Sequence, residues 1–304
     1  MSLTMSRRRF IASSMAAAAV AGSGMLAPAQ EAAKKPSVCV FSKHLQFLGY
    51  EDLAKNCKKM MLDGVDLTVR TKGHVEPAKV AEDLPRAVAA IRAEGLDVPM
   101  ITTALNRADD PDADPILKTA SDLGIRYFRI GGMYYEDTPH PMKQLDTFVE
   151  HLKGLAELAE KYNMVAGYHN HSGYHNVGAP LWDLYALYQR VGSDHLGSNF
   201  DVGHAKAEGA YGAWQITAHL MAPYVKMMAV KDFEWLRDKP RWIRLGTGIV
   251  PVVEFLKIFR EEADFAGPIS LHFEYEPKSE DALLAEIAQT VVILRGMLQE
   301  AGYA

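Results

Sequence analysis

From Ser37 onward, short runs rich in apolar and β-branched residues alternate with longer runs whose apolar residues recur at three-to-four spacing, and the alternation repeats eight times. That regularity leaves few architectures open. A strand-like run followed by an amphipathic run reads as a parallel βα unit, and eight such units close most simply on themselves. The strand candidates are Val38–Ser42, Gly64–Val69, Val98–Thr102, Tyr127–Ile130, Met164–His169, Gly197–Asp201, Val225–Lys231 and Ile269–Glu274. Helix candidates between them include Glu51–Leu62, Val80–Glu94, Lys143–Tyr162, Leu181–Val191, Val252–Glu262 and Ala282–Gln299. The breakers agree, because Gly64, Gly95, Gly124 and Gly192 follow helical runs and Pro77, Pro111 and Pro251 stand near helix starts. The expected fold class is α/β, a single-domain (β/α)8 TIM barrel over residues 37–304.

Ahead of this domain, Ser6-Arg7-Arg8-Arg9-Phe10-Ile11 is a basic cluster, followed by an apolar run from Ala12 to Leu26 and by Ala27-Pro28-Ala29, a small-x-small cleavage pattern. These features predict an N-terminal signal peptide over residues 1–29, of the twin-arginine type, and a linker over 30–36. The expected setting is the periplasm or another exported location. The apolar run is too short and alanine-rich for a membrane span, which takes about 20 strongly apolar residues. Removing the leader leaves about 275 residues, an ordinary length for one barrel, and takes the formal charge from −5 to −8. An acidic chain is a poor partner for a polyanion, so no nucleic-acid partner is expected. Cys39, in an apolar strand, and Cys57, on a helix, are expected as free core residues more than as a disulfide.

In barrels of this kind chemistry sits where strands end and the following loops begin. The first strand leads to Lys43 and His44, the second to Arg70, Lys72 and His74, and the third to Thr102-Thr103. The fourth carries Arg129 and leads to Tyr134-Tyr135. The fifth offers His169 and His171, the sixth Asp201 and His204, the seventh Lys231 and Asp232, and the eighth His272, Glu274 and Glu276. The helix-to-strand turns carry pairs such as Gly-Val and Gly-Ile that need only pack. Ionisable groups gathered at one end of several strands point to a site rather than to decoration.

The fifth unit concentrates three of the eleven histidines in Gly167–Asn176. Side chains alternate along a strand, so His169 and His171 share a face and Asn170 takes the other. Asn199-Phe-Asp-Val-Gly-His204 puts Asp201 at the inward end of the sixth strand, and Gly203 lets the chain turn so that His204 points back. Leu271-His-Phe-Glu-Tyr275 contains a second inward pair, His272 and Glu274. Carboxylate and imidazole together suit a divalent metal, and a buried carboxylate is costly unless paired or metal-bound.

Tyr168-His-Asn-His171, Asn199-Phe-Asp-Val-Gly-His204, Val230-Lys-Asp-Phe233, Leu245-Gly-Thr-Gly248 and Ser270-Leu-His-Phe-Glu-Tyr275 together resemble the sugar phosphate isomerase/epimerase family, the xylose isomerase-like barrels. The resemblance spans nearly all of the chain after the leader. It implies a divalent metal, Mn, Co, Mg or Zn, held by Glu, Asp, His and Glu from the later strand ends. Asp201 and Glu274 match two of these positions, and His169 stands where the first glutamate usually does. The seventh strand departs from the family's His-x-Lys-Asp pattern, because Ala229 holds the histidine position. Alanine binds no metal, so His204, His171 or His272 completes the sphere, or the ion is weakly held or absent. The expected metal set is His169, Asp201, His204 and Glu274.

The matching chemistry is proton transfer beside a carbonyl: a Lewis acid lowers the cost of an enolate, one group removes the adjacent proton and another returns it. His171, Lys231 and Glu274 are the expected catalytic residues. Lys231 can hold an anionic oxygen, or it can simply pair with Glu274 or Asp201. Lys43, His74, Arg129, Tyr174, His272 and Trp235 are the expected substrate-binding residues, with Tyr134, Tyr135 and Trp242 as further aromatic faces. Phe233–Gly248 is a candidate lid. The expected function is a sugar isomerase or epimerase. The alternatives are a lyase or hydrolase that cleaves a 3-keto-glycoside by β-elimination and a non-catalytic periplasmic sugar-binding protein. The expected partner is a small-molecule carbohydrate, with no membrane span and with homo-oligomerisation left open.

Overall fold

A computed structural model describes residues 35–303. The expected leader, residues 1–29, and residues 30–34 of the expected linker lie outside the described residues. In chain order the elements are β1 (Val38–Phe41), α1 (Tyr50–Lys59), β2 (Gly64–Thr68), α2 (Val80–Ala93), β3 (Asp97–Thr102), α3 (Ala113–Asp122), β4 (Tyr127–Arg129), α4 (Pro141–Lys161) and β5 (Val165–His169). There follow α5 (Trp182–Val191), β6 (Leu196–Asp201), α6 (Val202–Glu208), α7 (Ala213–Met221), β7 (Val225–Val230), β8 (Asp232–Leu236), β9 (Lys239–Ile243), α8 (Val252–Ala263), β10 (Ile269–Leu271) and α9 (Glu280–Glu300).

Eight of the ten strands form a closed barrel in the order β1-β10-β7-β6-β5-β4-β3-β2, with every pair parallel. All eight expected strands are present. The expected ends of the seventh and eighth run past the hydrogen-bonded ladder, which stops at Val230 and Leu271. Lys231 and the segment His272–Glu274 therefore follow the last paired strand residues, with the His272 N–H still bonded to the Val230 carbonyl. The expected lid is not an irregular loop. Asp232–Leu236 and Lys239–Ile243 pair antiparallel as a two-stranded hairpin.

Helices pack their apolar stripes on the outer barrel face. Phe200 of β6 lies 5.7 Å from Phe255 and 5.0 Å from Phe259 of α8, centroid to centroid, and Trp214 of α7 closes the group at 4.7 Å from Phe255. Local chemistry starts the helices. Pro141 opens α4 behind His140, whose Nδ1 accepts from the Met142 N–H, and the Ser279 hydroxyl accepts from the Ala282 N–H at the head of α9. Within the barrel, Asp66 accepts from Thr102 Oγ1 at 2.7 Å and Ser270 Oγ at 2.8 Å, and burial pushes its carboxyl up to about 6. Cys39 and Cys57 are buried free thiols, and burial pushes that of Cys57 up to about 12. Among the described residues no helix is long and apolar enough to cross a membrane.

Candidate active site

The C-terminal ends of the barrel strands open into a cavity of about 370 Å³, lined by Phe41, Lys43, Arg70, Thr103, Arg129, Tyr134, His169, His171, His272 and Glu274, with backbone from the loop at Gly131 and Gly132. Its floor is a compact polar cluster. Asp201 ends β6 fully buried, and its two oxygens have separate roles. Oδ1 accepts the His204 N–H at 2.8 Å and so caps α6. Oδ2 lies 3.2 Å from Lys231 Nζ and 3.3 Å from His169 Nε2, close enough for ion pairing yet without a well-directed hydrogen bond.

Lys231 gathers the cluster. Its Nζ is 2.7 Å from His204 Nε2 and 3.1 Å from Glu274 Oε1, and the indole of Trp242 lies with its centroid 4.4 Å away. His204 is held from its other side by Ser172 Oγ, 2.8 Å from Nδ1. A Cβ placed on Gly203 would meet Lys231 Cγ at 2.7 Å and the Trp242 ring at 3.1 Å, so the lysine stem and the indole both press on a residue that has no side chain. Glycine is required there for close approach.

The imidazoles form a second layer. His169 and His171 stand 4.5 Å apart between centroids, and His171 is 5.0 Å from His204. His272 is sandwiched between Phe41, at 4.7 Å and 19°, and His169, at 5.3 Å and 17°. Ala229 is fully buried and pairs with Asp201 on one side and Ser270 on the other. Just past β10 the His272 N–H donates to the Val230 carbonyl at 3.0 Å, and its imidazole joins His169 and Asp201 in one group of potential ligand atoms.

Burial dominates the protonation states. It holds His171 down to about 4, helped by the Arg129 guanidinium, and His204 down to about 3, against the pull of Asp201. His169 and His272 are held well below the usual imidazole range by the same burial. Burial pushes the Asp201 carboxyl upward, but the Lys231 ammonium, with His204 and His169, outweighs it and keeps the group well below the usual carboxylate range. Lys231 likewise overcomes burial to hold Glu274 low. The result is neutral imidazoles beside an ion-paired carboxylate, and neutral imidazole is the form that accepts protons and binds metals.

Two groups of ligand atoms lie within 4.8 Å of one another, His169 with His171 and His204, and His169 with Asp201 and His272. In the second group Asp201 Oδ2, His169 Nδ1 and His272 Nε2 are buried without hydrogen-bond partners. Such orphaned atoms fit a borderline divalent ion, for which imidazole and carboxylate are ordinary ligands. Of the expected metal set, His169, Asp201 and His204 fall within these groups. Glu274 belongs to neither and pairs with Lys231 at the cavity mouth, its side chain 39% exposed.

Of the other sequence candidates, Lys43, Arg129 and His272 line the cavity, and His171, Lys231 and Glu274 converge on it. His74 does not reach it. Its backbone N–H donates to Thr68 Oγ1 at 2.9 Å and its carbonyl accepts from the Tyr50 hydroxyl, which ties the loop after β2 to α1. Tyr174 is 83% exposed in a separate surface cavity with His175, Asp137 and Glu208. Trp235 packs on Phe233 along the hairpin, so Trp242, not Trp235, meets the cluster. Three contributors went unassigned in the sequence: Ser172, Phe41 and Asn170. Asn170 Oδ1 accepts the Asp201 N–H at 2.8 Å while its amide donates to the Asp201 carbonyl at 3.1 Å, which joins the ends of β5 and β6. The alternation that turned Asn170 away from the histidines was the one available signal for its role.

A family profile described as xylose isomerase-like TIM barrel matches residues 54–292. No curated protein matches the chain by sequence. Among solved structures, a xylose isomerase domain protein from Alicyclobacillus acidocaldarius is similar, with TM-score 0.70 and 14% identity over 88% of this chain and 99% of that one. A D-psicose 3-epimerase with D-tagatose from Clostridium cellulolyticum H10 gives TM-score 0.67 and 12% identity over 86% and 99%. A xylose isomerase-like TIM barrel protein from Mycobacterium smegmatis in complex with magnesium gives 0.65 and 15% over 89% and 98%. At these identities the likeness is one of fold.

Proposed function

The chain belongs to the xylose isomerase-like TIM barrel family, and from that premise we propose that it is a sugar isomerase or epimerase that moves a proton beside a carbonyl. The observation that carries the reading is the convergence of neutral-held His169, His171 and His272 with Arg129 in the lining of one cavity, with Lys231 packed behind it against the lining residue Glu274. The similarity to a D-psicose 3-epimerase supports the same class of reaction.

In this reading Arg129, Arg70 and Lys43 hold the sugar's oxygens in a cavity with three basic side chains in its lining. His171, unprotonated at neutral pH and facing the cavity, takes the proton next to the carbonyl. Negative charge that develops on the carbonyl oxygen is met by the Lys231 ammonium, which Trp242 covers and Asp201, His204 and Glu274 orient. Return of the proton on the same carbon from the other face gives an epimer, and on the neighbouring carbon an isomer. His169, Asp201 and His272, with His204 and His171 adjacent, are the residues that would hold a divalent ion, and a related barrel in complex with magnesium is consistent with this. Such an ion supplies Lewis acidity to the sugar's oxygens. Residues 1–29 as a twin-arginine leader set the proposed location in the periplasm.

A second reading, β-elimination from a 3-keto-glycoside, uses the same enolate and is favoured by the further cavity that adjoins the first at Glu274 and Lys43 and could take the departing group. The test is a panel of aldoses, ketoses and 3-keto-glycosides in D₂O. Deuterium uptake without cleavage is the expected outcome, and release of the aglycone transfers the assignment to the lyase. Binding of a sugar with no exchange under any metal would leave only a sugar-binding protein.

A further inference from the structure

Glu274 and Lys43 are a shared wall. On their inner side they line the central cavity, and on their outer side they line a second cavity of about 510 Å³. The two compartments differ in chemistry. The inner one is surrounded by guanidinium groups and imidazoles. The outer one presents Phe47, Phe273, Tyr275 and Leu283, with Glu276 and Glu280 in its lining. Phe47 is 40% exposed, so the hydrophobic core does not claim its ring. Tyr275 is fixed beside it by a 2.6 Å hydrogen bond from its hydroxyl to Glu286.

We propose that the outer cavity is a second subsite that holds the ring attached to the reacting sugar, so that the substrate is a neutral glycoside. This rests on the sugar proton-transfer reading and deepens it. At about 370 Å³ the inner cavity lies near the lower end of the usual range for ligand sites, about 300–1,000 Å³, which suits one sugar ring and leaves an attached group to go elsewhere. The adjoining space shares Glu274 and Lys43 with it as lining residues. Aromatic and aliphatic side chains there present flat apolar faces of the kind on which a ring stacks. The carboxylates of Glu274, Glu276 and Glu280 select against a phosphate or other anion in that position.

The test compares solvent-deuterium exchange and binding for free 3-keto-glucose and its methyl and phenyl β-glycosides, with the full chain, Phe47→Ala and Phe47→Trp. The expected result is a KM for the phenyl glycoside about tenfold below that of the methyl glycoside, a gap that shrinks to about twofold in Phe47→Ala and returns in Phe47→Trp. The methyl glycoside is handled alike by all three proteins. Equal KM values for the two glycosides in the wild type overturn the subsite while leaving the proton-transfer reading intact. A phenyl preference that survives Phe47→Ala also overturns it, because the second ring then lies elsewhere. If none of the three sugars binds or exchanges while an aldose or ketose does, the subsite is overturned and the proton-transfer reading stands; if no sugar of either kind binds or exchanges, both fall.

Discussion

Lys231 Nζ lies 2.7 Å from His204 Nε2 and 3.2 Å from Asp201 Oδ2, so one ammonium links the floor of the cavity to the turn between β6 and α6. Lys231→Met removes the cation and leaves Asp201 buried without its main partner. Stability is expected to fall by about 3 kcal/mol in urea unfolding, the scale for breaking a buried pair, and kcat by at least about 100-fold. Adding Asp201→Asn recovers much of the stability and none of the rate. A Lys231→Met protein as stable as the wild type would show that the pair is not coupled.

Protonation gives a second expectation, for chelator-treated protein. Unfolded imidazoles titrate near about 6.5, whereas burial holds His44 and His171 to about 4, His204 to about 3, and His169 and His272 well below the usual imidazole range. Between pH 6.5 and 4 the unfolded chain therefore binds more protons than the folded one, and stability falls as pH is lowered through that window. Asp66, pushed up to about 6, and Asp183, also raised by burial, work the other way, but His74 is lowered as well, so they are two groups against six. Urea midpoints measured from pH 7 to 4 should decline steadily, with a shallower decline in His204→Asn. A flat profile would contradict the buried neutral imidazoles.

Metal content provides a third check. Asp201 Oδ2, ion-paired but without a directed hydrogen bond, and the orphaned His169 Nδ1 and His272 Nε2 predict retention of about one divalent ion per chain after gentle purification, with Zn favoured over Mg by the two imidazole donors. His169→Ala and His272→Ala should each lose it, and chelation should lower both the melting temperature and the exchange rate. Full metal retention in both variants would move the ion to a different set of ligands.

A methyl group at Gly203 tests the close packing beneath Lys231. With Lys231 Cγ at 2.7 Å from the added Cβ, Gly203→Ala must push the lysine stem or Trp242 aside. Displacement by about 1 Å at a catalytic group costs on the order of 100-fold in rate. The kinetic readout is a fall in kcat with KM little changed, and the circular dichroism spectrum should stay that of the wild type. Unchanged kcat would separate Lys231 from the chemistry.

Much of the barrel was legible because its signal is local. Each strand run and its following helix announce themselves within about twenty residues, and His169 and Asp201 inherit their inward direction from strand parity. The hairpin was not legible. Its turn, Arg237-Asp238, lacks the Asn-Gly or Gly-Asp type of pair that marks tight hairpins, and Pro240 stands inside the return strand, a residue that argues against strand assignment. Arg237 takes a left-handed φ of 60° without being glycine. Loop residues failed for a related reason. His74 and Tyr174 follow strands as His171 does, but past the last ladder bond alternation no longer dictates direction, and Trp235 takes its direction from the unforeseen hairpin. The stacking of His272 on Phe41 joins opposite ends of the chain, and only barrel closure between β1 and β10 brings them together.

That the hairpin is a built element changes what Trp242 does. The indole lies over the Lys231 ammonium, and the strand that carries it is hydrogen-bonded along its length to the one beginning at Asp232. Asp232 in turn accepts the backbone N–H groups of Gly246, Gly248 and Val250, which ties the loop after the hairpin back to its first residue. The indole is thus an insulator on a braced arm. Water is kept from one side of the cation, so its field reaches the cavity with less dielectric dilution, and the strength of that field is set by how firmly Asp232 clamps a loop that takes no part in the chemistry.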